Sequence, residues 1–176
     1  RYEIATEYKW DLADMYVSTD SWEADILKYN ALLPEIESYK GHIGDNGKAL
    51  LAAIQKMEEI EMLISDIFVY AGLKSYEDMR VGENSANFSR ARTLSTKYNE
   101  ATSYVRPELL AIPTLKLKKM ISPTKGLGIY RHFIDEQLRM RDYTLSEAEE
   151  RILASASDAL GKFSGVYGAF NNADIK

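Results

Sequence analysis

The first long apolar pattern in the chain has the spacing of one helix face. Its apolar residues recur at intervals of four, three, four and three: Trp22, Ile26, Tyr29, Leu33 and Ile36. Asp20 followed by Glu23 resembles a capping box, so the pattern predicts a helix from Asp20 to about Tyr39. Pro34 lies inside this stretch and is expected to kink or divide the helix.

Two longer apolar patterns follow, and a short link joins them. The first predicts a helix from near Asn46 to about Lys74. Its core stripe is Leu50, Ile54, Met57, Ile60, Ile64, Ile67 or Phe68, and Ala71. The second predicts a helix from about Glu83 to Val105. Its heptad-like stripe is Phe88, Ala91, Ser95, Tyr98, Thr102 and Val105. The link from Ser75 to Gly82 is short enough for residues 46–105 to form a long antiparallel helical hairpin.

Shorter helices are predicted in the remaining third of the chain. Arg106 precedes Pro107, and the residue before a proline resists the helical region, so the hairpin should end there. The following helical segments are 107–111, 114–121, 127–140 and a final helix from about residue 146 to Phe170. Ser146 and Glu149 are placed to cap the start of this final helix reciprocally.

The spacing of the apolar residues predicts the fold class. No run of alternating apolar and polar residues bounded by hairpin turns is convincing, so the chain is predicted to be all-α. We expect a multi-helix antiparallel bundle with a long helical hairpin, forming one domain over residues 1–176. Residues 1–18 read as an irregular, aromatic-rich lead-in.

Composition and charge narrow the class of protein further. The chain has 176 residues, of which 45% are hydrophobic, and its 22 Lys and Arg against 27 Asp and Glu give a net charge of −5. That balance lacks the basic surface expected of nucleic-acid-binding or membrane-surface proteins. The chain has no cysteine, which excludes disulfides and fits a reducing compartment. Its longest apolar runs are too short to span a bilayer.

The residues needed for a catalytic zinc site are scarce. His42 and His132 are the two histidines, they lie far apart in sequence, and neither begins a His-Glu-x-x-His helix. A di-iron bundle would need Glu-x-x-His pairs, but the residues three before these histidines are Tyr39 and Ile129. The two histidines are therefore interpreted as ordinary surface or packing residues.

Other polar clusters favour structural roles. Glu58, Glu59 and Glu61 are predicted to form a solvated helix face, because charged residues occupy the polar side of amphipathic helices. Glu147, Glu149 and Glu150 are interpreted as helix-capping residues. The 12 tyrosines favour core packing over a wall that contacts peptides, although sequence alone leaves both readings open.

Six short segments, in a fixed order over nearly the whole chain, carry a family resemblance. They are Tyr8 to Tyr16 followed by Trp22-Glu23, Tyr70 to Lys74 with Asp78, Pro107 to Pro113, Tyr130 to Phe133, Thr144 to Glu147 with Glu150, and Asn172 to Ile175. Together these segments resemble the N-terminal region of the oligoendopeptidase F family, zinc metallopeptidases of family M3. Asp142-Tyr143 departs from the family pattern, because many relatives carry Pro-His or a similar pair there.

The resemblance implies that this chain is one of two parts of a larger enzyme and that the two parts have different roles. The complete enzyme would be helical, with a deep channel that admits short oligopeptides. One zinc ion would be bound in the C-terminal catalytic domain, by a His-Glu-x-x-His helix and a downstream Glu. The N-terminal helices would form a wall or lid of that channel. No catalytic, cofactor-binding or metal-ligating residue of the family maps onto this sequence, so none is expected here.

The predicted function is therefore the substrate-channel domain of a cytoplasmic zinc metallo-oligopeptidase. The chain begins at Arg1 rather than Met, and residues 171–176 contain neither Pro nor Gly and form no charged tail, which is expected of a piece of a longer protein. Its expected partners are its own catalytic domain and short peptides, and neither nucleic acid nor membrane. The alternative is a freestanding helical module for protein interaction, without enzymatic role, and the downstream coding sequence would distinguish the two.

Overall fold

Helices account for the regular structure in the computed structural model of this chain. The structure describes residues 5–8, 10–143, 145, 148, 149, 151–156, 166 and 170, and no strand occurs among them. The α-helices are α1 (Thr19–Glu37), α2 (Gly47–Glu77), α3 (Gly82–Thr102), α4 (Val105–Ala111), α5 (Thr114–Ile121) and α6 (Arg131–Arg139). Short 3-10 helices lie at Thr6–Tyr8, Leu12–Asp14, Leu127–Tyr130 and Arg141–Tyr143. The predicted all-α fold is confirmed.

The start of α1 differs from the prediction. Ser18 is the N-cap, and its hydroxyl accepts a hydrogen bond from the Ser21 amide at 3.2 Å. The Ser21 hydroxyl in turn accepts from the Ser18 amide, which completes a capping box two residues earlier than the predicted one. Glu23 is engaged elsewhere, because it pairs with Arg90 of α3. The assignment of the cap to Asp20 and Glu23 was wrong.

Pro34 does not divide α1. The helix continues through it and ends at Glu37, with Ser38 as the C-cap. Pro34 lies in the last turn of α1. Its nitrogen carries no N–H, so one backbone hydrogen bond is lost, and this loss falls where the helix is about to end.

The long helical hairpin consists of α2 and α3. Asn46 caps α2, as its side-chain oxygen accepts from the Lys48 and Ala49 amides at 3.0 Å. The predicted end of α3 at Val105 was wrong, because α3 ends at Thr102 and Val105 begins α4. Pro107 is the third residue of α4, where the missing N–H costs nothing because first-turn amides have no helical partner.

The buried face of α3 is rotated slightly from its predicted position. Leu94 and Ala101 are buried, whereas the predicted core residues Ser95 and Thr102 are half-buried. The polar residues fall at the edge of the stripe, and the apolar residues before each of them face the core. The stripes of α1 and α2 are buried largely as predicted, although Leu33 and Met57 are half-buried.

Two apolar clusters form the core, and α2 contributes to both. The first cluster joins the lead-in, α1, α3 and the C-terminal part of α2, with Trp22, Tyr29 and Ile67 nearly inaccessible to solvent. The second joins the N-terminal part of α2 to α4, α5 and α6, around Leu109 and Ile134. Burial of such side chains is the main favourable contribution to folding.

The predicted final helix is described only in part. Residues 148, 149 and 151–156 are helical. Ser146, the proposed cap, and residues 157–165 lie outside the described residues. Among the helices that are described, none combines the length and the apolar character needed to cross a membrane.

Candidate functional site

The two histidines do not form a metal site. His42 is exposed in the turn after α1, with its Nδ1 atom 3.0 Å from Oδ2 of Asp45. His132 is exposed on the first turn of α6. Within the described part of the chain, no group of three or more His, Cys, Asp or Glu side chains is arranged to hold a metal ion. The donors of a zinc centre, about three such ligands, are not assembled there.

The predicted acidic face of α2 divides into side chains with different partners. Glu59 binds Lys56 at 2.7 Å, and this hydrogen bond lowers the pKa of the Glu59 carboxyl. Lys56 also binds Glu35 of α1 at 2.9 Å, and the two carboxylates raise the pKa of its ammonium group. Glu58 instead accepts a hydrogen bond from the Tyr130 hydroxyl. The Glu59 contact lies within α2, whereas those of Glu35 and Glu58 link α2 to other elements at the surface.

The buried tyrosines are bonded within the core. The Tyr29 hydroxyl donates to the Leu94 carbonyl of α3 at 2.7 Å, and the Tyr104 hydroxyl donates to the Ile36 carbonyl of α1. Burial raises the pKa of Tyr29 to about 12. These residues therefore have the packing role that the sequence favoured. Among the described tyrosines, Tyr8, Tyr76 and Tyr143 are exposed.

One side of α2 remains uncovered by the rest of the described chain. We define the α2 outer face as Glu58, Met62, Ser65, Asp66 and Val69, all exposed and all on one side of the helix. Met62 is 70% exposed and Val69 is 42% exposed, although both are large apolar residues. An exposed apolar surface with a polar rim is typical of an interaction site.

Two adjoining depressions follow the α2 outer face. An open one of about 420 Å³ lies over Met62 and is bordered by Glu58, Glu61 and Asp66. A second, of about 270 Å³, lies between α2 and α3 and shares Glu61 and Ser65 with the first. Its wall consists of Ile64, Phe68, Ser95, Tyr98 and Asn99.

The combined groove has a partly apolar floor and an acidic rim. The Tyr98 hydroxyl lies 3.4 Å from Oε2 of Glu61 and from the Met57 carbonyl, so its proton is shared at the groove floor. Burial and the Glu61 charge raise the pKa of Tyr98, which keeps the phenol neutral. Hydroxyl donors, carboxylate acceptors and apolar area together suit contact with polypeptide.

Sequence reasoning missed the α2 outer face. The helical stripe assigned to the core accounted for the buried side of α2, and Met62 and Val69 were left unassigned. They lie seven residues apart, so they share a helix face on the side opposite the core. Two large apolar residues at that spacing outside the core stripe are a signal that a second surface exists.

This chain is similar in sequence and in fold to known proteins. Residues 108–176 match the family model described as Oligopeptidase F. The chain is 32% identical to Oligopeptidase PepF of Bacillus subtilis (strain 168) over 99% of its own length, and 30% identical to an Oligoendopeptidase F homolog of Lactococcus lactis over all of it. The crystal structure of oligoendopeptidase-F from Enterococcus faecium superposes with a TM-score of 0.84 at 27% identity, covering 89% of this chain.

The matched proteins are several times longer than this chain. It spans 26% of the Bacillus protein, 30% of the Lactococcus protein and 30% of the Enterococcus structure. The sequence match nevertheless covers 99% of this chain, and the match to the Enterococcus structure covers 89% of it. This chain therefore belongs to the oligoendopeptidase F family, and it corresponds to the N-terminal domain of the family's enzymes.

Proposed function

We propose that this chain is the non-catalytic N-terminal domain of a cytoplasmic zinc metallopeptidase that hydrolyses short peptides. The reactive groups and the zinc ion belong to a further part of the enzyme, and this domain forms a wall of the channel through which the peptide enters. The observation that carries the proposal is the α2 outer face, where Met62 and Val69 are exposed although both are large apolar residues.

The α2 outer face supports this role through its chemistry. Met62 and Val69 offer apolar area that is unfavourable in water, and α2 is held rigidly by core packing on its other sides. A rigid wall loses little conformational freedom when it contacts peptide or an adjoining domain. Met62 adds a flexible side chain that adapts to different peptide sequences. The domain therefore positions the peptide and limits what enters the channel, and the peptide bond is hydrolysed in the catalytic part of the enzyme.

A chimaera of the Enterococcus faecium oligoendopeptidase-F tests the proposal. The segment of that protein that superposes on this chain is replaced by the chain itself, and hydrolysis of a short fluorogenic peptide is measured. The chimaera is expected to be active. Met62→Lys should then lower its kcat/KM by about tenfold, because a charge on the apolar wall must be desolvated on contact.

Leu27→Lys is the matched control. Leu27 is 72% exposed, almost the same exposure as Met62, but it belongs to α1 and not to the α2 outer face. Its replacement should leave hydrolysis unchanged. An inactive chimaera, or equal losses for the two lysine variants, would contradict the proposed role of the α2 outer face.

The chain alone is expected to be inactive. Purified residues 1–176 should bind no stoichiometric zinc and should cleave no short peptide, because the described residues assemble no set of zinc donors. Metal analysis after dialysis against zinc and a peptide cleavage assay measure both outcomes. Zinc-dependent hydrolysis by the pure chain would overturn the proposal.

A freestanding interaction module remains the alternative, and the same exposed α2 outer face favours it. In that case the surface binds a separate protein and no catalytic part exists. The coding sequence beyond Lys176 decides between the two functions. A His-Glu-x-x-His motif several hundred residues downstream supports the peptidase, and its absence supports the module.

A further inference from the structure

A second cleft lies on the side of the molecule formed by α5 and α6. Its volume is about 360 Å³. Leu117 of α5, which is 1% exposed, forms part of its wall, and the half-buried Ile121 and Leu138 extend the apolar surface. Lys118 of α5 and Arg131 of α6 line the same cleft. The cleft thus offers an apolar surface beside two cationic groups.

The two cations are available for a ligand. Within the described chain, neither Lys118 nor Arg131 has a carboxylate oxygen within 4.0 Å, in contrast to Arg139, which pairs with Glu136. Arg141, behind the cleft, is directed instead to the Ile112 carbonyl at 3.2 Å and the Thr114 hydroxyl at 3.3 Å. Residues 112–143 carry seven Lys and Arg against three Asp and Glu, although the whole chain has a net charge of −5. This part of the surface is basic in an acidic protein.

We propose that the cleft binds the carboxy-terminal end of a peptide whose last residue is apolar. This inference rests on the proposed function, because it assigns a peptide contact to the same domain. The terminal carboxylate pairs with Arg131 and Lys118, since guanidinium groups bind carboxylates through paired, charge-assisted hydrogen bonds. The last side chain lies on the surface of Leu117, Ile121 and Leu138.

The size and polarity of the cleft favour a chain end over an internal segment. Its volume lies near the lower limit of about 300 Å³ for pockets that bind small molecules, so it encloses a terminal residue and little more. A terminal residue presents its carboxylate and side chain within the same short distance. Asp135, which also lines the cleft, disfavours a free dianion and can accept the N–H of the last peptide bond.

Binding of paired peptides to the purified chain tests the proposal. The probes are short peptides labelled at the amino end and ending in Leu, one with a free carboxylate and one with a carboxamide. Fluorescence anisotropy should give a dissociation constant for the free acid that is at least about tenfold lower than for the amide, because charge-assisted hydrogen bonds are lost in the amide. A third peptide ending in Gly should also bind more weakly than the Leu peptide.

Substitutions locate the binding in the cleft. Arg131→Gln should weaken binding of the free acid by about tenfold and leave the amide unaffected, since the guanidinium acts on the carboxylate. Lys119→Gln is the matched control, because Lys119 is exposed on α5 and does not line the cleft. Circular dichroism verifies that both variants keep their helices.

The outcomes separate this inference from the proposed function. Equal affinity for acid and amide, absence of measurable binding, or equal effects of the Arg131 and Lys119 substitutions would each refute the cleft assignment. The chimaera described above can remain active in all three cases, so the proposed function would stand. Conversely, selective binding of the free acid supports the cleft assignment even if the chimaera is inactive.

Discussion

At the scale of single residues, the Tyr29 hydroxyl is predicted to stabilise the fold by linking α1 to α3. Tyr29 has no exposed surface, and its hydroxyl donates to the Leu94 carbonyl at 2.7 Å. Tyr29→Phe should lower the free energy of unfolding by about 1–2 kcal/mol, because a buried hydrogen bond is lost. Urea unfolding measures the change.

Tyr76→Phe is the matched control for this prediction. Tyr76 is 61% exposed, and within the described chain its hydroxyl makes no hydrogen bond. The free energy of unfolding should stay within about 0.5 kcal/mol of the original value. Equal losses in the two variants would show that the Tyr29 hydroxyl has no special role.

The buried tyrosines also predict a loss of stability in alkali. Burial raises the pKa of Tyr29 to about 12 and also raises those of Tyr16, Tyr98 and Tyr104. An unfolded tyrosine ionises near pH 10. Above that pH the unfolded chain has released protons that the folded chain retains, so the free energy of unfolding falls with rising pH.

The window of this effect follows from the two pKa values. The tyrosine contribution is complete below about pH 10 and is lost as the pH rises through 12 for Tyr29. Urea midpoints should be nearly constant from about pH 8 to 9.5 and fall steeply by about pH 11. Tyr29→Phe should reduce the slope, and a slope unchanged by that substitution would contradict the assignment to Tyr29.

The sequence predicted that these tyrosines are buried, but it did not predict which groups accept their hydrogen bonds. Helical spacing placed Tyr29 and Tyr98 on buried stripes, and amphipathic side chains of this kind favour core positions. Tyr29 donates to the Leu94 carbonyl, and Tyr98 shares its proton between the Met57 carbonyl and the Glu61 carboxylate, so both bond to acceptors on another helix. Their identity depends on the relative rotation of two helices, which the local pattern does not contain.

At the scale of helices, replacing the first residue of α2 and of α3, each a glycine, by alanine is predicted to have opposite effects on stability. A Cβ atom added at Gly47, at the start of α2, would lie 2.0 Å from Oγ1 of Thr124 and 2.7 Å from the Met120 carbonyl oxygen. Gly47→Ala should therefore destabilise the fold by about 1–3 kcal/mol, because the loop after α5 must move.

Gly82 at the start of α3 provides the contrast. A Cβ atom there would meet nothing within 4 Å, and its φ is not positive. Gly82→Ala should stabilise the fold by about 0.4–1 kcal/mol, because alanine reduces the freedom of the unfolded chain. Thermal unfolding of the two variants measures the signs, and a loss of stability at both positions would disprove the steric distinction.

Helix identity was more predictable than helix ends. The regular apolar stripes gave α1, α2 and α3, and α5 was predicted with the observed bounds, Thr114–Ile121. Ends depend on which of several candidate caps is used. At α1 the serine pair Ser18 and Ser21 prevailed because Glu23 is drawn to Arg90, with Nη2 and Oε2 2.7 Å apart. That partner lies 67 residues away and leaves no local trace.

At the scale of the whole molecule, α2 connects two apolar clusters that differ in composition. The C-terminal part of α2 packs with α1 and α3, and the N-terminal part packs with α4, α5 and α6. Among the described residues, Tyr39 and Met57 are the ones that border both clusters. The sequence predicted a single bundle, because periodicity identifies buried faces and leaves open which faces meet.

The candidate interaction surfaces were less predictable than the fold for the same reason. The α2 outer face became identifiable only when the other sides of α2 were seen to be covered. Lys118 and Arg131 lie 13 residues apart on different helices, and their shared cleft depends on how α5 and α6 pack. The family resemblance led to the proposed role of the domain, but the positions of the candidate surfaces depend on how the helices pack.

The division into two clusters predicts that a substitution in the core of one cluster destabilises the helices of that cluster more than those of the other. Leu109 is 1% exposed in the second cluster, and Leu109→Ala should cost about 2–5 kcal/mol through lost burial and a residual cavity. Amide hydrogen exchange should then accelerate more in α4, α5 and α6 than in α1 and α3, because opening follows cooperative units. Ile26→Ala, equally buried in the first cluster, is the reciprocal variant and should accelerate α1 and α3 more. If both substitutions accelerate exchange uniformly from α1 to α6, the two clusters unfold as one unit and α2 transmits every perturbation along its length.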